Sequence, residues 1–453
     1  MNKSFLVKPF LDEDYPIAEY GKGIYLYDSE GKEYIDGSSG AVTASIGHGV
    51  LEIAEVMKKQ GEKVSFVYRS QFTSTPAEKL AWKLKDWAPG DVNWSFFVNS
   101  GSEATETALK VAIQYWQEKG RPTKTKILSR WMSYHGITLG ALSMSGHEVR
   151  RARFVPLLED FPTIDPPYCY RCPFDQSYPE CQLKCANELE RAIYRIGADN
   201  IAAFIAEPII GASGAAVVPP DGYYEKIREI CDRHEILFIA DEVMTGIGRC
   251  GKPFAIDYWS VVPDIIAIGK GLSAGYTPLA ATMISEKVME PIRSGSKLIM
   301  SGHTYSANPQ STAVGLAVLE YMEKHMLVEQ SEKKGNYLIN QLTQLQKKYP
   351  IIGDVRGKGL LTGVEFVSNI FNKLPFSEEV NVTNAVVKKS MEKGLLVYPA
   401  SAGLEGMRGD AIIVAPPLTI KKEEIDKLVS IFENVIKEIQ DELQIQGYFH
   451  SVI

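Results

Sequence analysis

A chain of 453 residues, 45% hydrophobic and 23% charged, has the make-up of a globular protein with room for two or three domains, which excludes disorder. Its net charge of −7 with no basic block argues against nucleic acid or an anionic membrane as the main partner and leaves small molecules as the default. The N-terminus holds no apolar stretch long enough for a signal peptide, and nowhere do about 18 apolar residues run together, so a cytoplasmic protein is expected.

Residues 1–65 contain "KGIYLYDSEGKEYIDG", which predicts two short strands around the turn Ser29-Glu30-Gly31-Lys32. A large domain is expected over 66–310. Within it seven apolar runs alternate with helical patterns: "WSFFVN", "TKILSR", "ARFVPL", "AAFIAEPI", "ILFIADEV", "DIIAIGK" and "LAATMIS". Such alternation implies crossover units, hence an α/β architecture with a mainly parallel seven-stranded sheet flanked by helices. Between the third and fourth runs lies "CYRCPFDQSYPECQLKC", with Cys169, Cys172, Cys181 and Cys185 in a proline-rich excursion that returns into a helix. Their spacing could wrap a tetrahedral metal; the alternative, thiols in an insertion loop with no metal and no catalytic role, is the expectation. Residues 311–453 mix amphipathic helices with strands such as "TGVEFV" and "AIIVAP", and are expected to join residues 1–65 in a small α+β domain.

In an open α/β sheet, ligands sit beyond the carboxyl ends of the strands, so the polar residues there are the candidates for chemistry. After "WSFFVN", Ser100-Gly101-Ser102 opens a helix whose apolar positions run Ala104, Ala108, Val111, Ala112 and Tyr115. Free N–H groups, hydroxyls and the positive end of the helix dipole could hold a phosphate there, although an ordinary N-cap looks similar. "ILFIADEV" ends on Asp241 and Glu242, where a buried carboxylate needs a cation or donors. Gly246, Gly248 and Gly251 have dinucleotide-fingerprint spacing, but no helix pattern follows and a nicotinamide site is rejected. Tyr134 and His135 follow another strand, Glu207 precedes a glycine-rich turn, and Lys270 stands between two glycines after the strand Asp264 to Ile268. Singly each reads as structural. Together they are the parts that hold pyridoxal 5'-phosphate: a phosphate cradle, an aromatic ring, a carboxylate for the pyridinium nitrogen and a lysine for the aldehyde.

These residues sit in segments that strongly resemble the class III (ω-type) aminotransferases of the fold type I pyridoxal phosphate family. The resemblance covers nearly the whole chain, through "YIDGSSGAVTASIGHG", "NSGSEATETALK", "YHGITLGALS", "AEPIIG", "ADEVMTGIGRCG", "IAIGKGLSAGYTPLAA", "GHTYSANP", "RGKGLLTGVEF" and "APPL". It implies that Lys270 links to the cofactor and, once released, moves the proton between substrate and cofactor carbon. It also implies that Asp241 pairs with the ring nitrogen, that Val243 and Tyr134 pack on the two ring faces, and that Gly101 and Ser102, with Ser100 and Glu207 beside them, complete the cofactor contacts. Thr304 would reach the phosphate of the neighbouring subunit, so a homodimer with shared active sites is expected. Cys250 stands where the family usually has threonine, and the four-cysteine insertion is a second departure. Epimerases and aminomutases share these motifs and form the alternative.

Relatives that use glutamate carry an arginine and a glutamate at the positions of Ile413 and Ala212, and several ω-amino-acid enzymes carry arginine at Ile137. What remains is Arg408, close to where amine-type members have an arginine that clamps a carboxylate; it is assigned with Val42 to the substrate side. One guanidinium grips one carboxylate, so pyruvate is expected to be a better acceptor than 2-oxoglutarate, with donors among amines, ω-amino acids or alanine.

Overall fold

Three of the apolar runs, Ile201–Ala206, Leu237–Asp241 and Ile265–Ile268, are buried at every position, which is why they lack the alternation of a half-exposed strand. The computed structural model, which describes residues 5–403 and 409–449, places them in the middle of a seven-stranded sheet. Its order is Trp94–Val98, Ala280–Ile284, Ile265–Ile268, Leu237–Asp241, Ile201–Ala206, Lys126–Arg130, Thr163–Ile164. Ala280–Ile284 is antiparallel to both its neighbours, and every other pairing is parallel. Helices such as Gly101–Glu118 and Tyr223–Arg233 supply the crossovers and cover the faces.

One predicted strand is corrected. "ARFVPL" does not enter the sheet: Val155–Leu157 forms a single 3-10 turn after the short helix Glu148–Arg151, and Phe154 and Leu157 are exposed. Pro156 has no N–H to give a ladder. The edge place goes to Thr163–Ile164, in parallel register with Ser129 and Arg130.

Near the N-terminus, Tyr25–Asp28 and Glu33–Asp36 form the expected antiparallel pair, extended by Ala18–Lys22. Leu395–Leu396 pairs in parallel with Glu33–Asp36, so distant parts of the chain share one sheet. A third sheet joins Ile352–Lys358, Leu361–Phe366, Asp410–Val414 and Tyr398–Ser401. The cysteine excursion is pinned to this sheet, since Arg171 Nε donates to Glu365 Oε1 at 2.7 Å and the Tyr168 hydroxyl donates to the same carboxylate. Among the described residues no group of three or more His, Cys, Asp or Glu is placed to hold a metal ion. Burial and the neighbouring thiols push Cys185 up to about 12. No described helix is long and apolar enough to cross a membrane.

Candidate active site

Because the parallel strands point one way, their carboxyl ends converge on one edge of the sheet. There lies a cavity of about 180 Å³ lined by Gly101, Ser102, Tyr134, His135, Glu207, Asp241, Val243 and Lys270, with Gly136, Ala212 and Met244. Asp241 ends its strand, Glu207 follows Ile201–Ala206 directly, and Lys270 comes two residues after Ile265–Ile268.

Asp241 is 3% exposed and its carboxylate is met on both oxygens. Oδ2 lies 2.8 Å from His135 Nδ1, and Oδ1 accepts from the Val243 N–H at 3.1 Å. An ionised carboxylate can only accept, so Nδ1 carries the proton. His135 Nε2 is buried with no hydrogen-bond partner among the described residues.

Lys270 sits at φ 40°, a left-handed conformation uncommon for a side-chain-bearing residue, following Gly269 in extended backbone. Its amine makes no hydrogen bond or ion pair among the described residues, and burial pushes it down to about 8 although Asp241 and Glu207 pull the other way. An unpaired lysine near neutrality is a nucleophile and a base rather than a structural cation.

Glu207 holds backbone: Oε2 accepts from the Tyr134 N–H at 3.1 Å and Oε1 from the Gly211 N–H at 3.0 Å. Its carbonyl takes Arg130 Nη2 and the Tyr224 hydroxyl, each at 2.6 Å. Burial pushes its carboxyl above the usual range. Glu207 thus fixes Tyr134 relative to the turn that carries Ala212.

Ser100 caps the helix Gly101–Glu118, accepting from the Glu103 N–H at 3.2 Å. The N–H groups of Gly101 and Ser102 precede the first intrahelical donors and have no acceptor among the described residues. Ser102 Oγ accepts from the Ile137 N–H at 3.0 Å. The backbone approach is tight, since a Cβ on Gly101 would lie 2.6 Å from Val243 Cγ1 and one on Gly136 2.6 Å from Ser102 Oγ. Free N–H groups at a helix start, a free lysine amine and a buried, oriented carboxylate fit an anionic, aldehyde-bearing heterocycle such as pyridoxal phosphate.

Not every expected residue reaches the cavity. Ser100 is exposed as the cap, Val42 is buried in the turn Ser39–Val42, and Thr304 is exposed in a loop; none of the three lines it. Arg408 lies outside the described residues. Ala212 lines the cavity, whereas Ile413 is buried within Asp410–Val414 and Ile137 is exposed. The sequence places His135 after a strand; that it orients Asp241 has no signal there, because the two are 106 residues apart.

A class III aminotransferase family model, "Aminotransferase class-III", matches residues 12–436. The chain belongs to the class III aminotransferases. This aminotransferase is 54% identical over 441 residues to the uncharacterized aminotransferase YodT of Bacillus subtilis (strain 168), covering 97% of this chain and 99% of that protein. It is 33% identical over 422 residues to the putrescine–pyruvate aminotransferase of Pseudomonas aeruginosa, covering 92% and 89%. Among solved structures it is similar to a transaminase from the marine bacterium Virgibacillus, with TM-score 0.91, 34% identity and coverage of 97% and 98%. It is also similar to an amine transaminase from an uncultivated Pseudomonas species in its PLP-bound form, with TM-score 0.90, 33% identity and coverage of 97% and 99%. The fold is therefore that of the fold type I transaminases.

Proposed function

We propose that this aminotransferase carries pyridoxal phosphate on Lys270 and, as a cytoplasmic homodimer, moves an amino group from an amine, ω-amino acid or alanine to a keto acid, with pyruvate preferred, in two ping-pong half-reactions. The observation that carries the reading is the unpaired Lys270 amine in one cavity with the His135-oriented Asp241. The cofactor, when bound, supplies an aldehyde for the amine and a protonated ring that accepts electrons.

The chain does the rest. Asp241, aimed by His135, holds the proton on the ring nitrogen. Tyr134 and Val243 line the space for the ring, and the N–H groups of Gly101 and Ser102 receive the phosphate. Lys270, once free, would take the proton from the substrate carbon and hand it to the cofactor carbon. Thr304, exposed on its loop, is left to serve the phosphate site of a second copy.

The preference for pyruvate is supported by Ile413, an apolar residue buried within Asp410–Val414 where glutamate-using relatives carry the arginine that anchors a second carboxylate. The Pseudomonas aeruginosa relative is named for the same acceptor. A panel of amino donors and keto acids, followed by cofactor absorbance, tests both parts. Conversion of the cofactor to its aminated form by a donor alone, then reversal by pyruvate with a higher kcat/KM than by 2-oxoglutarate, is the expected result. Turnover of an amino acid with no keto acid present would replace the reading by epimerisation, and faster reversal by 2-oxoglutarate would remove the preference.

A further inference from the structure

Beside the Lys270 cavity lies a larger one of about 580 Å³, and Ala212 lines both. Its wall includes Arg150, whose Cζ stands 4.8 Å from the centroid of the Tyr134 ring. Tyr134 lines the inner cavity, so the guanidinium is stacked on the partition between the two. Among the described residues Arg150 makes no hydrogen bond and no ion pair, unlike the neighbouring Arg151, which donates to three carbonyls. It is also near enough to Lys270 to contribute to the lowered pKa of that amine.

An exposed arginine in a helix of four residues is ordinarily a solvated charge. Arg150 differs in being stacked, unpaired and turned to a cavity that adjoins the reactive lysine. A guanidinium held on an aromatic face keeps its planar fork free for a bidentate anion, with little rotamer freedom left to lose. Among the described residues, the other acidic and imidazole side chains lining the larger cavity are Glu378, Asp410 and His147. Asp410 is engaged, accepting from the Thr383 N–H at 2.7 Å, and burial with the adjacent Arg150 holds His147 down at about 4, so it adds no charge at neutral pH. Among the described residues the cavity therefore offers one free cation for one anion, and carboxylates elsewhere in its wall that repel a second.

We infer that Arg150 grips the carboxylate of the keto-acid acceptor, and of donors that carry one, and so selects monocarboxylic over dicarboxylic substrates. This inference rests on the aminotransferase reading for the identity of the substrate, but not for the existence of the carboxylate site.

The test compares wild type, Arg150→Gln and Arg150→Lys by three readouts. Calorimetry measures propionate binding to the cofactor-loaded and cofactor-free protein; steady-state kinetics give kcat/KM for pyruvate; and absorbance gives the half-reaction rate with butylamine, which has no carboxylate. Loss of one charge-assisted bidentate contact should weaken propionate binding and lower kcat/KM for pyruvate by roughly 10- to 100-fold in Arg150→Gln, with part restored in Arg150→Lys. The butylamine rate should stay within about threefold. Unchanged propionate binding in Arg150→Gln would overturn the inference, as would a butylamine loss parallel to the pyruvate loss, which is what a disturbed Tyr134 would cause. A wild-type protein that transfers from no amine, yet binds propionate in an Arg150-dependent way, would remove the aminotransferase reading and uphold the carboxylate site.

Discussion

Lys270 combines three properties that follow from its place rather than its type: a left-handed backbone, an amine without partners among the described residues, and a pKa of about 8 instead of 10.5. Burial disfavours the ammonium, and the attraction of Asp241 and Glu207 offsets only part of that. Only the neutral amine attacks an aldehyde, so the sign is set. Uptake of pyridoxal phosphate by the cofactor-free protein should rise about tenfold per pH unit below 8 and level off above it, when followed by stopped-flow absorbance. Lys270→Ala should abolish turnover and this covalent uptake together, while the phosphate and ring contacts still allow weak cofactor binding by equilibrium dialysis. Retained turnover in that variant would remove Lys270 from the mechanism.

At the scale of elements, the start of the helix Gly101–Glu118 matters because it brings backbone against the strand end that follows Asp241. The Ser100 cap and the reach of Glu103 Oε2 back to the Asn99 N–H at 2.7 Å set where the helix begins. At that point a glycine is needed for space, since an alanine Cβ at 101 would press into Val243. Gly101→Ala should weaken cofactor binding at least about tenfold and cost about 1–3 kcal/mol of stability, the usual range for overpacking. Adding Val243→Ala should return much of the lost Tm, because the double variant removes the clash. If the second change lowers Tm further instead, the close approach is not the cause.

For the whole molecule, the exposed aromatics and large aliphatics of two segments bear on the proposed homodimer. Phe66, Tyr68 and Phe72 on one, and Leu298, Met300 and Tyr305 on the other, are exposed, and the rings of Phe66 and Tyr305 meet edge to face at 5.9 Å. A patch of this kind favours a second copy. Thr304 lies beside it, outside its own cavity, as the proposed shared site requires. Mixing Thr304→Ala with Lys270→Ala and allowing subunits to exchange should restore one working site per mixed dimer. Activity of the mixture should exceed that of either variant alone, and no gain after exchange would show that each site is complete within one chain.

The sequence by itself determined the buried strands, because a run such as "AAFIA" or "LFIA" has one stable place, inside a sheet covered on both faces. It also marked Lys270 and Asp241, since charges at the ends of such strands cost too much without a purpose, and structure brings both to one cavity with Tyr134, Glu207, Gly101, Ser102 and Val243. Tertiary structure decided what depends on partners distant in the chain. The apolar run "ARFVPL" was as good a strand as "TI" by composition, yet Thr163 and Ile164 found the edge of Lys126–Arg130 while Pro156 could not. His135 became the orienting partner of Asp241, and Glu207 the anchor of the Tyr134 backbone, only when separate strand ends met. The stacking of Arg150 on Tyr134 and its place in the wall of the larger cavity have no signal in the sequence and arise only from the fold, which sets the short helix Glu148–Arg151 beside that ring. Burial is written in local composition, whereas pairing between distant segments depends on which of several equally apolar or charged candidates the fold brings within reach.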